Sequence, residues 1–508
     1  MRFRDHTASI GDGRQLLFLA LVVLLSRLLF LNSPTVHIDE QFYLAVADKW
    51  IHHGLIPFVD IWDRKPLGTF IIYALPAALF SNGILAYQIM AIVSVIATGL
   101  VVIRIGRLLS FDSETAFAAA VIYAIATVLM EGAGGQTPIF YNLFVAAAVL
   151  VLLQAMRKPD ASGSVGAALL ASALFGVAIQ IKYICAIEAA AISIFYLFEM
   201  YLRRVRSMTA IASLASGMII FGILPTAAVA LYYVAIGHFP EFVDANFASI
   251  IAKRLWHLEA GEYLRRFLES SLFCIFFLPL AAYALPSFLR NRGAVRDHRL
   301  LLLIWLAAAL PGALGLGNPT RHYFLPTLAP LSLMAAFGWQ KLCFSLKLAH
   351  KRHKVLTAIL FVPAVGCLII AVENPVERGE VDDVRAVAEY IGIHTPRGSC
   401  PFVFNRLPIL YYLADVCAPS IYLFPNHLSE IAEVQTPGKE RLAELQRVLN
   451  SLPPLIYVRR PYSGDVDPEA ISLLEEKLED DYALSYVRRG YRQFHEIYEA
   501  KRSQNGPQ

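Results

Sequence analysis

The sequence predicts a polytopic α-helical membrane protein, with about eleven transmembrane helices and interfacial helices, that carries a soluble α/β domain in its C-terminal region. Of the 508 residues, 57% are hydrophobic and only 17% are charged. Apolar runs near the ~20 residues that a crossing helix needs recur along most of the chain. After residue 373 the composition changes to charged helical patterns and short β-branched runs. An ordinary soluble protein is therefore excluded.

Eleven apolar runs predict the transmembrane helices. They lie at residues 15–31, 84–103, 115–130, 138–156, 165–179, 183–198, 209–236, 267–289, 300–316, 323–339 and 355–372. Residues 67–80 are apolar but only about 14 residues long, too short to cross a bilayer, so they predict an interfacial or re-entrant helix. The predicted domains are a transmembrane domain over residues 1–372, with a first outer loop at 33–83, and a periplasmic domain over 373–508.

Basic residues between the apolar runs predict the orientation. With the N-terminus in the cytoplasm, the inner segments carry about twice as many Lys and Arg residues as the outer ones. We therefore expect a multi-pass membrane protein with its N-terminus in the cytoplasm and its C-terminus on the outer side of the membrane. The formal net charge of +4 is small and spread out, so nucleic acid is not an expected partner.

The C-terminal region alternates between helical and strand patterns. Helices are predicted at residues 381–393, 407–413, 439–449 and 468–478, and strands at 401–404, 420–424, 455–458, 484–487 and 494–498. This alternation is typical of an α/β layer with its own core.

Six cysteines show no zinc-ligand spacing. Cys185, Cys274, Cys343 and Cys367 are predicted to be thiols packed as small hydrophobic side chains. Cys400 and Cys417 fall near the edges of two predicted strands. In an oxidising compartment they would form a disulfide, and two buried free thiols are the equally weighted alternative.

The first outer loop combines acids and bases. It contains the acidic pair Asp39 and Glu40, and later Asp63, Arg64 and Lys65. A carboxylate can accept a proton from an incoming hydroxyl group, while cations stabilise a departing phosphate. Group transfer from a lipid phosphate at the membrane surface is the chemistry that this loop favours.

The same loop resembles a known family. The stretch from His37 to Tyr43, followed by residues 60–68 with Lys65-Pro66, resembles the first outer loop of lipid-carrier-dependent glycosyltransferases of the GT-C fold. That group includes glycosyltransferase family 39, the protein mannosyltransferases, and the bacterial enzymes that add aminoarabinose or galacturonic acid to lipid A or its core. The segment 321–330 and the segments 408–413 and 424–428 are similar to later parts of those proteins.

The resemblance implies roles for individual residues. Asp39, with Glu40 beside it, corresponds to the catalytic base, and Lys65 to the contact with the carrier phosphate. Relatives often have Lys-Pro-Pro where this chain has Lys65-Pro66-Leu67, and often a second acid in the next outer loop, where Glu131 is the acidic residue here.

Other candidate residues have two interpretations each. Tyr43, Asp63, Arg64, Lys182, Arg321 and His322 are predicted to bind the substrate or its phosphate. Arg64 and Arg321 are equally suited to anchor lipid headgroups, and Lys182 to a structural pair or to extension toward the interface. His37 and Asp39 could bind a divalent cation, Mg²⁺ or Mn²⁺, although a histidine in such a place is more often simply hydrogen-bonded.

The predicted function is transfer of one hexosyl or pentosyl group from a polyprenyl-phosphate carrier to a hydroxyl group. The acceptor would be lipid A or the lipopolysaccharide core, another glycolipid or a protein at the periplasmic face, and a single displacement would invert the anomeric carbon. A transporter or flippase of lipid-linked saccharides is the alternative; it would show internal repeats and ionisable groups near mid-bilayer. A non-catalytic partner protein is a third possibility.

Overall fold

The computed structural model describes residues 13–157, 161–203, 207–252, 259–271, 274, 276–290, 294–314, 319–431, 441–490 and 493–501. These residues form two compact units. The first unit combines residues 1–31, 88–229 and 257–371, and the second combines residues 32–87, 230–256 and 372–508. The first outer loop and the C-terminal region therefore fold together in the second unit.

The N-terminal half is a succession of apolar helices. In chain order these are α1 (Gly13–Arg27), α2 (Ile38–His53), α3 (Leu67–Leu79), α4 (Gly83–Leu108), α5 (Ser113–Leu129), α6 (Thr137–Arg157), α7 (Ala161–Ile181), α8 (Cys185–Leu202) and α9 (Met208–Ala235). A 3₁₀ turn, Leu28–Phe30, extends α1. The predicted interfacial segment 67–80 coincides with α3.

Further helices follow. They are α10 (Phe239–Val243), continued by a π-helical turn at Asp244–Ala248, then α11 (Ser249–Ala252), α12 (Ala260–Ser271), α13 (Leu278–Arg290), α14 (Ala294–Leu314), α15 (Leu328–Ser345) and α16 (Arg352–His394). The 3₁₀ segments Arg321–Thr327 and Ala349–Lys351 precede α15 and α16. The predicted span at 267–289 falls on two helices, α12 and α13, and its residues 272, 273 and 275 lie outside the described part of the chain, as do 315 and 316 of the span at 300–316.

Six helical segments of the described chain are long and apolar enough to cross a membrane. They are Gly13–Phe30, Gly83–Leu108, Thr137–Arg157, Ser164–Ile181, Cys185–Leu202 and Met208–Ala235, and shorter apolar helices lie at Leu67–Leu79, Ser113–Leu129 and His298–Leu314. The prediction of a helical membrane protein with several apolar helices is confirmed.

Helix α16 differs from the prediction. It runs for 43 residues without a break, through both the predicted span at 355–372 and the predicted soluble helix at 381–393. Asn374 and Pro375 lie inside it, yet the helix continues. The change in side-chain composition at residue 373 therefore does not mark the end of a helix.

The C-terminal region contains a mixed four-stranded sheet. Its strands are β1 (Phe402–Val403), β2 (Leu455–Arg460), β3 (Tyr482–Gly490) and β4 (Gln493–Ala500), in the spatial order β1-β2-β4-β3. β1 and β2 are parallel, whereas β4 is antiparallel to both β2 and β3. The helices here are α17 (Ile409–Leu413), α18 (Asn426–Ser429), α19 (Arg441–Asn450) and α20 (Pro468–Asp481).

One face of this sheet packs against α19 and α20. Ile456 and Val458 of β2 share a fully buried core with Leu445 of α19 and Leu474 of α20. α20 begins where its sequence directs, because Asp467 accepts a hydrogen bond from the Glu469 N–H group and Pro468 fills the first turn. The predicted α/β layer is confirmed.

The strand predicted at 420–424 is wrong. No strand forms there, and the backbone carbonyl of Ile421 instead accepts a hydrogen bond from the Trp62 N–H group at 2.9 Å. The rings of Tyr422 and Phe424 contact Trp62 and Phe42, respectively, so this segment packs against the N-terminal part of the second unit without forming a strand. The predicted helix at 439–449 begins at Arg441 among the described residues.

Cys400 and Cys417 form a disulfide, which is one of the two alternatives that the sequence left open. Cys185, Cys274, Cys343 and Cys367 are free and buried, as predicted.

Candidate active site

The acidic pair lies in the first turn of α2. His37 precedes the helix in an extended conformation, and its Nδ1 atom accepts a hydrogen bond from the Asp39 N–H group at 3.2 Å. Carboxylates are favoured at a helix N-terminus, where backbone N–H groups have no helical acceptor. Local chemistry therefore fixes both the start of α2 and the position of the acids.

Asp39 and Glu40 have different surroundings. Asp39 is half-buried, whereas Glu40 is fully buried and its Oε2 atom accepts a hydrogen bond from the Tyr87 hydroxyl group at 3.1 Å. A buried carboxylate held by a tyrosine stabilises the packing of the helix. Asp39 is thus the more accessible of the two acids, and Tyr87 is a partner of Glu40 that sequence reasoning missed.

Tyr43 lies one helical turn after Asp39 and is almost completely buried. The Lys65 ammonium group is 5.7 Å from the centre of its ring. Burial raises the pKa of the Tyr43 phenol well above its usual range, the charges of Asp39 and Asp63 raise it further, and Lys65 opposes them. The charges of the predicted acid and of the predicted cation therefore shift the pKa of the same buried hydroxyl group, in opposite directions.

Asp63 fixes the backbone that carries Lys65. It is buried, and its Oδ1 atom accepts a hydrogen bond from the Lys65 N–H group at 2.6 Å. Its Oδ2 atom is 3.5 Å from Nε2 of His427, which is also buried. Pro66 then precedes α3 and helps to set the direction in which the chain leaves the loop. Asp63 is consequently a positioning residue for Lys65.

The loop is also fixed by aromatic contacts with the C-terminal region. The rings of Trp62 and His427 lie 5.0 Å apart, and those of Phe42 and Phe424 lie 4.8 Å apart. The Arg64 guanidinium group lies 5.3 Å from the centre of the Trp62 ring. Sequence reasoning assigned no site role to His427, because nothing in the sequence pairs it with a loop more than 300 residues earlier.

Lys182, Arg321 and His322 belong to the other unit. The Lys182 ammonium group lies 5.1 Å from the centre of the Tyr323 ring, and the half-buried Arg321 begins a 3₁₀ segment. Nδ1 of His322 is 3.1 Å from Oε2 of Glu131. Nine residues were predicted for catalysis or substrate binding. Six of them lie in the second unit, as does the possible metal ligand His37, and these three lie in the first unit.

Glu131 has a backbone conformation that is rare for its residue type. Its backbone has a φ of 61°, which side-chain-bearing residues rarely adopt and which recurs at functional sites. The buried Arg27 donates hydrogen bonds to Thr127 Oγ1 at 2.5 Å and to the Gly132 carbonyl at 3.4 Å. The loop after α5 thus presents one carboxylate, that of Glu131, beside His322.

Comparison with known proteins identifies the architecture. Residues 64–228 match the family described as dolichyl-phosphate-mannose-protein mannosyltransferase. ArnT from Cupriavidus metallidurans in the apo state is similar over 96% of this chain and 98% of its own, with a TM-score of 0.67 and 14% identity. ArnT from the same organism bound to undecaprenyl phosphate is similar over 99% of this chain and 100% of its own, with a TM-score of 0.64 and 14% identity.

A third similar structure is an archaeal one. The oligosaccharyltransferase of Archaeoglobus fulgidus, tethered to an acceptor peptide, covers 95% of this chain and 73% of its own, with a TM-score of 0.57 and 14% identity. ArnT and this enzyme are both GT-C glycosyltransferases. This chain has the GT-C fold. No curated protein shows significant sequence similarity to it.

The resemblance to GT-C glycosyltransferases that the sequence predicted is confirmed. The family match begins at Arg64, so it includes Lys65 and Lys182 but not Asp39. It supports the predicted class, a membrane glycosyltransferase.

Three residues of the second unit are spaced closely enough to bind a metal ion, but the ammonium group of Lys49 already lies among them. Carboxylate or imidazole atoms of Asp48, His53 and Asp415 lie within 4.8 Å of one another. The Lys49 ammonium group is 2.9 Å from Asp415 Oδ1 and 3.5 Å from Asp48 Oδ2, and its hydrogen bond is the main cause that lowers the pKa of Asp415. This cluster is therefore an ion-pair network that joins α2 to the segment before Cys417.

Proposed function

We propose that this chain transfers one sugar, a hexosyl or pentosyl group, from a polyprenyl-phosphate carrier to a hydroxyl group of a periplasmic-face acceptor. Two observations support the donor: the family match, and similar GT-C structures that contain a polyprenyl phosphate. The acceptor would be lipid A or the lipopolysaccharide core, another glycolipid, or a protein.

The observation that carries the proposal is the arrangement around Tyr43. A half-buried acid, Asp39, and a cation, Lys65, act on the same buried hydroxyl group within the first outer loop. Transfer from a sugar phosphate needs a base for the incoming oxygen and a positive charge for the departing one.

The proposed reaction is a single displacement. Asp39 accepts the proton of the acceptor hydroxyl group, and that oxygen forms a bond with the anomeric carbon of the sugar. The bond between this carbon and the phosphate oxygen breaks, its electron pair stays on the phosphate, and Lys65 stabilises the charge. The products are the glycosylated acceptor, inverted at the anomeric carbon, and the carrier phosphate.

Neighbouring residues have supporting roles in this proposal. The Tyr43 phenol is protonated at neutral pH, and burial raises its pKa further, so its hydroxyl group can donate a hydrogen bond to the phosphate. Asp63 positions Lys65, Glu40 stabilises the start of α2, and Arg64 adds positive charge near the loop. Lys182, Arg321 and His322 stay predicted contacts for the carrier or acceptor.

A divalent cation, Mg²⁺ or Mn²⁺, at His37 and Asp39 stays a prediction. His37 uses its Nδ1 atom as the helix cap, so it can offer a metal ion only Nε2. The reaction above takes its positive charge from Lys65 and needs no step at a metal ion.

We also propose that the protein lies in the bacterial inner membrane, with its N-terminus in the cytoplasm and residues 373–508 in the periplasm. The basic residues of the predicted inner segments support this orientation. The disulfide between Cys400 and Cys417 suits an oxidising compartment.

Mass spectrometry of envelope glycolipids and glycoproteins tests the proposal. A strain without the gene should lack one sugar on one acceptor, and the wild-type protein should restore it. Asp39→Asn should be inserted normally and fail to restore it, whereas Glu389→Gln, at an exposed acid of the same unit, should restore it. Restoration by Asp39→Asn would contradict the proposal.

The flippase alternative makes a different prediction in the same strains. If the protein only moved the carrier across the membrane, the sugar-loaded carrier would accumulate on the cytoplasmic side of the deletion strain. The proposed transferase instead leaves the loaded carrier on the periplasmic side, where an added membrane-impermeant oxidant can reach its sugar.

A further inference from the structure

His427 links the C-terminal region to the first outer loop. It lies in α18, and its Nε2 atom is 3.5 Å from Oδ2 of Asp63, with both side chains 5% exposed. The other oxygen of that carboxylate, Oδ1, accepts the hydrogen bond from the Lys65 N–H group at 2.6 Å. One buried carboxylate therefore joins a histidine of the C-terminal region to the backbone of the predicted phosphate contact.

Aromatic rings surround the His427 imidazole. The rings of Trp62 and Phe424 lie 5.0 and 5.1 Å from it, and those of Tyr422 and Phe42 lie 5.9 and 6.1 Å from it. All four rings are steeply inclined to the imidazole, with interplanar angles between 71° and 84°. Such packing restricts the rotation of the imidazole and fixes the direction of its Nε2 atom.

Helix α18 is anchored in the core of the C-terminal region. Leu428, next to His427, belongs to the buried core that α19 and α20 form with the sheet. Nη1 of Arg441 donates a hydrogen bond to the Leu428 carbonyl at 2.5 Å, and the Asp467 N–H group donates one to the Ser429 carbonyl at 2.8 Å. His427 therefore projects from a well-supported element, as the precise placement of another side chain requires.

The environment of Asp63 makes the imidazole important. A buried carboxylate is stable only when hydrogen-bond donors or positive charges lie beside its oxygens. Asp63 has the Lys65 N–H group at one oxygen and the His427 imidazole near the other. Without the imidazole nitrogen, the second oxygen would lose a partner in a place with little access to water. The carboxylate would then turn toward water, and the Lys65 backbone would move with it.

We propose that His427 is a positioning residue for sugar transfer, which acts through Asp63 to hold Lys65 at the carrier phosphate. This inference rests on the proposed function, because it assumes that Lys65 binds that phosphate. It gives the C-terminal region a part in carrier binding without any contact to the carrier, since small displacements of a binding group are costly. The effect of His427 should therefore disappear when the Lys65 side chain is absent.

A double-mutant cycle on the full-length protein in lipid nanodiscs tests this dependence. His427→Phe keeps a ring among the aromatic side chains but removes both nitrogen atoms, so it should raise the Kd for a sugar-free polyprenyl phosphate about tenfold. Lys65→Ala should raise the Kd as well. In the Lys65→Ala background, His427→Phe should change the Kd less than about twofold, because coupled residues are not additive.

Two further variants separate the lost donor from lost packing. His427→Gln returns an N–H donor at the end of its side chain and should recover most of the wild-type affinity. His427→Leu, which also lacks a donor, should repeat the result of His427→Phe in the same cycle. The matched control is His394→Phe, the same substitution at an exposed histidine of α16, which should bind the carrier as wild type does.

The outcomes distinguish this inference from the proposed function. If Lys65→Ala weakens binding but His427→Phe does not, the inference alone is overturned. It is also overturned if His427→Phe weakens binding equally with and without the Lys65 side chain, because the histidine would then act through general packing. Unchanged binding by Lys65→Ala would overturn the proposed phosphate contact, and the inference with it.

Discussion

At the scale of single residues, Tyr43 joins the two halves of the proposed chemistry. Its position one helical turn after Asp39 follows from the helical repeat, so α2 alone brings acid and phenol to one face. Lys65 lies beside the same phenol, and Asp63 holds the Lys65 backbone N–H group. The site therefore depends on one helix and one short loop.

Replacing Tyr43 with Phe should lower the rate of sugar transfer about 10- to 100-fold, because the ring remains beside Lys65 while the hydrogen-bond donor to the phosphate is lost. Steady-state transfer by the purified variant checks this. Tyr486→Phe, in β3, is the matched control and should behave as wild type. An unchanged rate for Tyr43→Phe would show that the hydroxyl group takes no part.

Gly132 should be intolerant of any side chain. A Cβ atom there would lie 2.7 Å from the Thr127 carbonyl oxygen, 2.8 Å from Ile139 Cδ1 and 2.9 Å from Leu325 Cδ2. Gly132→Ala should therefore destabilise the protein by about 1–3 kcal/mol, which a lower Tm of the purified protein would report.

Gly166 is the control, since nothing lies within 4 Å of a Cβ atom at that position in α7. Gly166→Ala should leave the Tm unchanged or raise it slightly. Equal effects of the two substitutions would contradict the tight packing inferred at the Glu131 loop.

Single-residue roles were predictable from the sequence only where local order sets them. The order of Asp39, Glu40, Lys65 and Pro66 identified the loop as the candidate site, and the resemblance of the chain to GT-C enzymes is confirmed. The burial of Glu40 against Tyr87 was not predictable, because two adjacent acids in a helix differ only in what packs against them. The contact between Asp63 and His427 was not predictable either, because the local sequence does not show which distant side chain packs against Asp63.

At the scale of elements, the apolar runs identified most of the long helices, because each carries its signal within its own residues. The sequence did not predict α2, which carries Asp39 and Tyr43, since the first outer loop has no apolar run of membrane length there. The strand at 420–424 failed since a short apolar segment forms a strand only if a neighbouring strand offers hydrogen bonds. Here its backbone bonds the first outer loop instead. Helix α16 exceeded its prediction because its backbone stays helical through Pro375 and Gly379, close to where the composition changes, so neither residue ends the helix.

The stability of the sheet should depend on pH because of His495. This residue is fully buried in β4, and its Nδ1 atom is 2.8 Å from the Tyr457 hydroxyl group. Burial first, and then the charge of Arg459, lowers the pKa of His495 from 6.5 to about 4. The folded state therefore binds a proton less readily than the unfolded state does.

The contribution of neutral His495 to the free energy of unfolding is fully present above pH 6.5 and is lost as the pH falls from 6.5 toward 4. The full effect is about 3 kcal/mol, since one pKa unit corresponds to about 1.4 kcal/mol. His495→Gln should show a smaller drop in Tm between pH 7.5 and pH 5 than wild type does. Equal drops in the two proteins would contradict this assignment.

The disulfide should stabilise the segment that carries Asp415. Cys400 and Cys417 are 17 residues apart in sequence, so the chain-entropy estimate is about 3 kcal/mol. Replacing both with Ala should lower the Tm, and a reducing agent should lower the wild-type Tm to the same value. A variant with the wild-type Tm under non-reducing conditions would refute this contribution.

At the scale of the whole molecule, the GT-C fold places the candidate residues in two compact units. The second unit holds Asp39, Tyr43 and Lys65, and the first holds Lys182, His322 and Glu131. Apolar helices supply the membrane part, while the first outer loop and the C-terminal region fold together. Sequence reasoning separated these last two as distinct domains, because contacts between distant segments leave no trace in local composition.

The most direct test of the account uses purified protein and a sugar-loaded polyprenyl phosphate. Asp39→Asn should bind the carrier within about twofold of wild type but transfer its sugar at least about 1,000-fold more slowly, because it keeps Lys65 and loses the base. Lys65→Ala should weaken carrier binding itself. Transfer by Asp39→Asn at the wild-type rate would contradict the central claim.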